Sequence, residues 1–500
     1  DVHPVTSKTV PQVLAELKRA FGQIWIDLDQ VDAGSTRRLV DSLIDMEPNE
    51  LGADFRNGLA AITEGHPLFV LELMKDLQER GELVRDAAGR WRQSREIDWQ
   101  QTPARVEGVI EKRIGRLDPE LREILGIASV QGEVFTAEAV AKVHGVDERV
   151  LVRRLSWELE RQHRLVQELG AERMGLRRLS QFRFRHILIQ RYLYRQRGSS
   201  ERAYLHEALG NALEELVGDQ NGRVSVQLAR HFTEAGLTDR AMLHLQRAGE
   251  RALKLSAYQE AAGHLRRALS GADSLTAEGK PPDRLWVAHI ERMLGEASYA
   301  LGDIDGSREL LERSARRLGR PIPAQVGLAI LGEVARQARY RLLPRRSGGE
   351  ASPRRAELRE AAGIYKALTE IYIVSTENAR TLYATLGNLN LAEGAGLSPE
   401  LASAYADMSA VCPLLNLHSL AEKYRSMAAQ AAQALGMEPV TAYVRMATSV
   451  FTVGQGRWEE SADSLDRAIA AFRQLGDWNR LGLTLVLRTH VHIFKGEFEA

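Results

Sequence analysis

The sequence predicts a mainly α-helical protein, in which a small α/β portion and a winged-helix domain precede an α-solenoid of helix pairs. Three observations carry this. From about residue 200 onward the apolar residues follow helical periodicity alone. A short pattern recurs in that half at a step of 40 residues. Runs that alternate in the manner of strands are few, short and confined to the first 190 residues or so.

The 500 residues suffice for about three or more domains at roughly 100–200 residues each. Apolar residues make up 44% and charged residues 27%, which supports packed cores and argues against disorder. Lys+Arg and Asp+Glu both total 67, so no global charge demands a nucleic acid or a membrane surface. The single cysteine, Cys412, excludes an internal disulfide and a multi-cysteine metal site, and it suits a reducing, cytoplasmic setting. No apolar run approaches the ~20 residues of a membrane span. The chain opens on Asp1-Val2-His3-Pro4 without an initiator Met, and its last residues, from Gly496 to Ala500, stop inside a repeat. The expectation is that both ends are cut and that part of the function sits outside this sequence.

The elements follow in order. Residues 1–60 hold one convincing strand, Gln23 to Leu28, between helical stretches. Gly65-His66-Pro67 opens a helix, because a first-turn proline loses no intrahelical hydrogen bond. Val70, Leu73, Met74 and Leu77 form its apolar stripe, and Gly81 ends it. Leu83-Val84 and Trp91 flank Asp86-Ala87-Ala88-Gly89 as a small hairpin. Thr102-Pro103 and Asp118-Pro119 repeat the cap-plus-proline start, and the second helix carries Leu121, Ile124, Leu125 and Ala128 on one face. Further helices are expected near 136–140 and 149–162, followed by strands at 166–169 and 181–184. Three short helices and then a hairpin is the winged-helix order.

The repeat is clearest in Asn416-x-His418-x-x-Ala421, Gly456-x-Trp458-x-x-Ser461 and Gly496-x-Phe498-x-x-Ala500. Weaker copies are Gly236-x-Thr238-x-x-Ala241, Ser256-x-Tyr258-x-x-Ala261 and Gly302-x-Ile304-x-x-Ser307. The Gly ends one helix, the aromatic fills the gap between helices, and the small residue permits close approach. Trp458, Tyr258 and Phe498 are therefore expected in the core. Residues 344–356, rich in Pro, Gly, Ser and Arg, read as an exposed loop.

Motifs for chemistry are missing. No G-x-x-x-x-G-K-[ST] loop occurs, and Gly279-Lys280-Pro281 lacks both the upstream Gly and the hydroxyl. H-E-x-x-H, G-x-S-x-G and G-x-G-x-x-G are absent too. His490 and His492, two apart on a helix, point to different faces. The sequence holds no complete active site, no catalytic residue and no metal site by these criteria.

An ordered series of segments nevertheless resembles STAND-type (AAA-like) signalling ATPases. Thr63-x-Gly65-His66-Pro67-Leu68-Phe69-Val70 is similar to their T-x-G-N-P-L-F-V segment, with His66 where Asn is commoner. Ile24 to Asp32, Thr102 to Leu117, Ala128 to Phe135, Phe182 to Tyr194 and Leu228 to Gly236 resemble, in the family's own order, its strand before the lid, its lid helix, its winged-helix segments and the start of its repeats. Leu389 to Ala402 looks like the tetratricopeptide-like tail of such ATPases fused to class III nucleotidyl cyclases or Ser/Thr kinases; others are fused to transcription regulators.

The resemblance implies the C-terminal edge of an ATPase core at 1–60, a helical lid at 61–115, a winged-helix domain at 116–198, helical repeats at 199–343, the loop at 344–356 and tetratricopeptide-like repeats at 357–500. It implies ATP or ADP as ligand, with the phosphate-binding part outside this sequence. Gly65 and Pro67 would lie against the base and His186 would reach a phosphate. The plainer alternatives are a helix start for Gly65-Pro67 and a core or cap histidine for His186.

The function implied is the regulatory or sensor part of a nucleotide-dependent signalling switch, whose repeats bind a protein partner or a small effector. Two other readings stay open. One is a pure interaction scaffold with a degenerate ATPase remnant. The other is a DNA-binding regulator using Arg149, Arg153, Arg154, Arg161 and Arg164, against which Glu148, Glu158 and Glu160 argue.

Overall fold

The computed structural model describes residues 33–497, apart from 64, 66, 95–96, 98, 100–103, 175–176, 219–223 and 343–352. The strand expected at Gln23 to Leu28, the Thr102-Pro103 helix start, His66 and Phe498 lie outside the described residues. The chain is mainly helical, with two small sheets among the described residues, and divides into two compact units, up to Ala212 and from Leu213. No helix among the described residues is long and apolar enough to cross a membrane.

In the first unit, α1 (Ala33–Ile44), α2 (Ala53–Thr63) and α3 (Pro67–Glu79) pack together. Arg56 ties α2 to α1 through Asp41 and Asp45. Val70, Leu73 and Leu77 form the buried stripe of α3, and Gly81, at φ 69°, turns the chain at its end. The hairpin β1 (Leu83–Arg85) and β2 (Trp91–Gln93) follows, its turn closed by the Asp86 carboxylate accepting from the Ala88 and Arg90 amides.

After α4 (Ala104–Ile114), α5 (Pro119–Gln131) starts as its sequence requires: Pro119 is first, and Asp118 accepts from the Leu121 amide at 2.8 Å. Then come β3 (Val134–Thr136), α6 (Ala137–His144) and α7 (Glu148–Arg154), which runs on as a π-helical segment, Leu155–Gln162. β4 (Val166–Met174) and β5 (Arg177–Phe184) complete an antiparallel sheet of order β3-β5-β4. The hairpin strands are longer than their alternation suggested. β3 is additional: three residues are too few to show a period of two. Phe135, Phe182 and Phe184 pack across this sheet with ring centroids 5.3–6.0 Å apart. α8 (Ile187–Gln196) and α9 (Ser199–Val217) follow.

The second unit is helical throughout its described residues: α10 (Ser225–Glu234), α11 (Thr238–Lys254), α12 (Tyr258–Ala277), α13 (Arg284–Ala300), α14 (Ile304–Arg317), α15 (Val326–Leu342), α16 (Pro353–Val374), α17 (Asn378–Ala395), α18 (Pro399–Val411), α19 (His418–Leu435), α20 (Glu438–Gly454), α21 (Trp458–Leu475) and α22 (Trp478–Lys495). Helices pack as consecutive pairs, among them α13/α14, α16/α17, α18/α19 and α20/α21, and the first helix of each of these pairs also touches the first helix of the next. α15 stands outside the pairing and packs on α17. α16 begins at Pro353, inside the stretch read as loop.

The 40-residue step has a backbone origin. Thr376, Asn416, Gly456 and Gly496 all take left-handed φ, at 57°, 57°, 72° and 78°. Each lets the next amides close the preceding helix: Gly456 N–H donates to Val453 and Arg457 N–H to Thr452, just as Thr376 N–H donates to Ile373 and Glu377 N–H to Tyr372. The copy at Thr376 escapes a search for Gly because a β-branched residue occupies the turn. Such a residue is strained there, by about 1–2 kcal/mol. Thr376→Gly is therefore expected to stabilise the second unit by about 0.5–1 kcal/mol after the added unfolded-chain entropy is subtracted, and Asn416→Gly by less, since Asn tolerates this conformation. Urea denaturation of the two variants measures the difference; a loss of stability in Thr376→Gly would contradict it.

One expectation needs correction. Trp458 and Tyr258 are half-buried rather than core. Each sits on the first turn of its helix, where neighbours cover one side only. The residue three positions on is the buried one: Ala261, Ala421, Ser307 and Ser461 are fully enclosed. Ser461 shares a hydroxyl–hydroxyl hydrogen bond of 2.7 Å with Thr452, and Ser307 donates to the Gly295 carbonyl at 2.7 Å. Small size is what the helix crossing needs.

Candidate functional site

In the first unit, the three singled-out positions meet around the end of α2. Thr63 is its last residue and is fully buried. The carbonyls of a helix's last turn have no partner within the helix. His186 supplies one here: its Nε2 lies 2.8 Å from the Thr63 carbonyl and donates to it. Its Nδ1 accepts from the Leu188 amide at 3.3 Å, capping the start of α8. These two bonds fix the Nε2–H tautomer. The ring stands edge-on to Phe69 of α3, 4.6 Å between centroids, and His186 is 5% exposed. Gly65 is buried, at φ 70°, in the turn that leads to Pro67 at the first position of α3. A Cβ-bearing residue is disfavoured in that backbone conformation. Thus one imidazole joins the helix preceding Gly65-His66-Pro67 to the helix after β5, and both of its nitrogens are engaged in doing so.

The arginines considered for DNA do not form one basic face. Arg154 lies against Asp118, Glu120 and Glu158 at 3.2, 2.6 and 3.1 Å. Arg161 stacks over Trp157 at 5.3 Å. Arg149 and Arg153 are exposed beside Glu148, which holds Arg177. Carboxylates set among the arginines would repel a phosphate backbone.

The repeats contain a polar row that sequence spacing could not reveal, because its members lie on separate helices. His289 of α13 sits between two carboxylates, Glu360 of α16 at 2.9 Å and Glu250 of α11 at 3.6 Å. Burial works against its proton, but the hydrogen bonds to Glu250 and Glu360 prevail and hold the imidazole up at about 9. Burial likewise opposes the charge of Glu360, yet His289 and Arg292 bring its carboxyl down to about 2. Arg292 Nε lies 2.5 Å from Glu360.

Further along, the Tyr443 hydroxyl of α20 donates to Asp407 of α18 at 2.7 Å, and the Tyr443 ring carries Lys366 of α16 at 3.7 Å and Arg480 of α22 at 5.2 Å. The Glu370 carboxyl of α16, though exposed, is raised by the protein atoms crowding it, with Lys366 opposing and Asp407 and Glu296 adding to the rise. The row therefore offers carboxylates, cations and an aromatic face to whatever lies along it. Among the described residues no group of three or more His, Cys, Asp or Glu could hold a metal ion.

No protein-family model matches the chain. No curated protein matches it either. Among solved structures, the chain is similar to a Signal Transduction ATPase with Numerous Domains (STAND) protein with a tetratricopeptide repeat sensor from Pyrococcus horikoshii, at 12% identity and a TM-score of 0.40, over 94% of this chain and 64% of that one. It is similar also to the TPR2AB domain in the HSP90 complex of yeast Sti1, at 14% identity and a TM-score of 0.21, over 58% of this chain and 98% of that one. The chain thus spans about 64% of the length of the first of these structures, and neither likeness assigns an activity to it.

Proposed function

We propose that this chain is the regulatory part of a nucleotide-dependent signalling switch. The lid and winged helix close over ATP or ADP, and the repeat array binds a protein partner or small effector that biases the closure. The observation that carries the reading is the His186 joint. The Nε2–H that caps the Thr63 carbonyl at 2.8 Å is the donor that a nucleotide phosphate oxygen would take, so ligand and cap compete for one proton. Gly65 and Pro67 follow Thr63 on the same segment, and by the family resemblance a nucleotide base would lie against them, glycine being the residue type that permits close approach. The polar row of the repeats supports the second half of the proposal, since such rows on stacked helix pairs present extended binding surfaces. Moving the switch from mostly closed to mostly open needs about 5 kcal/mol of differential binding.

The test is equilibrium binding of ADP and ATP to the full-length natural protein and to its Pro67→Ala and His186→Gln variants. Gln keeps one donor and one acceptor, so the fold survives while the imidazole is lost. His186→Gln is expected to weaken ADP binding about tenfold, the worth of one charge-assisted hydrogen bond, and Pro67→Ala to weaken both nucleotides. Unchanged affinities in both variants would remove these residues from the switch.

A further inference from the structure

At the far end of the π-helical segment the first unit holds a cavity of about 270 Å³, lined by Arg113, Arg116, Gln162, His163, Arg164 and Leu165. Arg113 and Arg116 come from the end of α4 and the turn after it, whereas Gln162 to Leu165 lead into β4. Arg113 is half-buried and donates through Nη2 to the carbonyls of His163 and Arg164, at 3.1 and 3.4 Å. Among the described residues no carboxylate pairs with Arg113, Arg116 or Arg164, in contrast to Arg154, the residue just before the segment, which has three. Burial first, and the Arg116 charge second, hold the Arg113 guanidinium below its ordinary range.

Two backbone features converge on the same place. The π-helical segment, Leu155–Gln162, ends here, and such segments are concentrated at functional sites. Arg164 takes a left-handed φ of 50°, a strained conformation for a long side chain that persists where the surroundings impose it. A cluster of cations sharing a small cavity is self-repelling, and an oxyanion would relieve it; arginine forks match phosphate oxygens in geometry.

We infer that this cavity is a binding site for a small phosphorylated ligand, whose phosphate groups bridge Arg113 and Arg116 to the His163-Arg164 turn and so clamp α4 onto the wing. The volume suits one or two phosphates, and the acids around Arg149, Arg153 and Arg154 break the continuous basic stripe that a nucleic-acid backbone would need. The inference is independent of the switch proposed above, since it uses neither Gly65, Pro67 nor His186.

The probe is inorganic pyrophosphate, titrated calorimetrically into the full chain at constant ionic strength, with thermal unfolding followed in parallel. Saturable one-to-one binding is expected, weakened about tenfold in Arg116→Gln and abolished in Arg113→Gln/Arg116→Gln, but unchanged in Arg149→Gln. Arg164→Gly separates the ligand from the fold. Relief of the backbone should raise the melting temperature of the free protein while shrinking its shift with pyrophosphate; a merely structural arginine would give the opposite sign for the first. Absence of saturable binding, equal binding in all variants, or preference for duplex DNA over pyrophosphate at the same three arginines would each overturn the assignment.

Discussion

Glu360→Gln is expected to destabilise the repeat unit by about 3 kcal/mol and to flatten its stability at alkaline pH. The carboxylate ties α16 to α13, accepting from His289 at 2.9 Å and Arg292 at 2.5 Å, and its side chain is 12% exposed. Breaking a buried pair by removing one partner costs about 3–5 kcal/mol, because the remaining charge stays behind. The lower end applies, since Glu296 and Glu250 still face Arg292 and His289.

The pH dependence follows from the direction of each shift. His289 is raised from 6.5 to about 9 in the folded chain, so its contribution is complete below about pH 6.5 and is lost as pH rises through 9. Glu360 is lowered from 4.5 to about 2, so the same pair is intact above about pH 4.5 and fails as pH falls through 2. Counted once, the pair yields up to about 3 kcal/mol. Native chain should then lose about that much between pH 6.5 and 9.5, and Glu360→Gln less, since Glu250 still raises His289 in the variant. Trp286 is a local reporter, since its indole N–H donates to Gln246, which in turn donates to Glu250. Urea titrations at pH 6 and 9.5 that give parallel losses in native and variant chains would show that the cluster is not the source.

Much of the fold was readable because its signals are local. Asp118 as a cap, the stripe Val70, Leu73 and Leu77, Gly81 at the helix end and the glycine turns near 456 and 496 each involve residues within one helix or one turn. What escaped is non-local or conformational. β3 exists only because β5 pairs with it. The repeat at Thr376 is defined by a backbone angle that its residue type disfavours. The joint between His186 and Thr63 spans 123 residues of sequence, so the family resemblance could nominate the histidine but no local spacing could give its partner. His289, Glu360 and Tyr443 belong to ordinary-looking amphipathic helices, and nothing short of the packing of α11, α13, α16 and α20 distinguishes them. The aromatic of the repeat misled for a related reason: periodicity tells which face a residue occupies, but not whether the neighbouring helix reaches the first turn.

The same distinction explains why α15 stays attached although it lies outside the pairing, and this leads to the second large effect. Val326 of α15 joins the apolar core and Ala329 and Ile330 pack against it, but Leu328, Leu331 and Val334 are exposed, so the apolar anchor is narrow. A buried polar network reinforces it. Gln337 donates to Asn390 at 2.7 Å and to Glu393 at 2.9 Å, Asn390 donates to the Glu333 carbonyl at 3.0 Å, and the hydroxyls of Tyr405 and Tyr424 donate to Glu393 and Gln337 at 3.0 and 3.3 Å. Glu333, Gln337, Asn390 and Glu393 are each buried, at 8%, 8%, 2% and 3% exposure. In such a setting each bond is strengthened by weak screening, and each loss exposes the full desolvation cost of its partner. Glu393→Leu removes one of the two acceptors of Gln337 and the carboxylate that accepts from Tyr405, and should cost about 2–4 kcal/mol. Hydrogen exchange should show α15 opening before the helices beneath it. Adding Tyr405→Phe removes one of the stranded donors, so the double variant should lose about 1 kcal/mol less than the sum of the single ones. Strict additivity, or protection of α15 unchanged in Glu393→Leu, would mean that this helix is held by its flanking turns instead, and that the segment around Asn390 and Glu393 serves α17 alone.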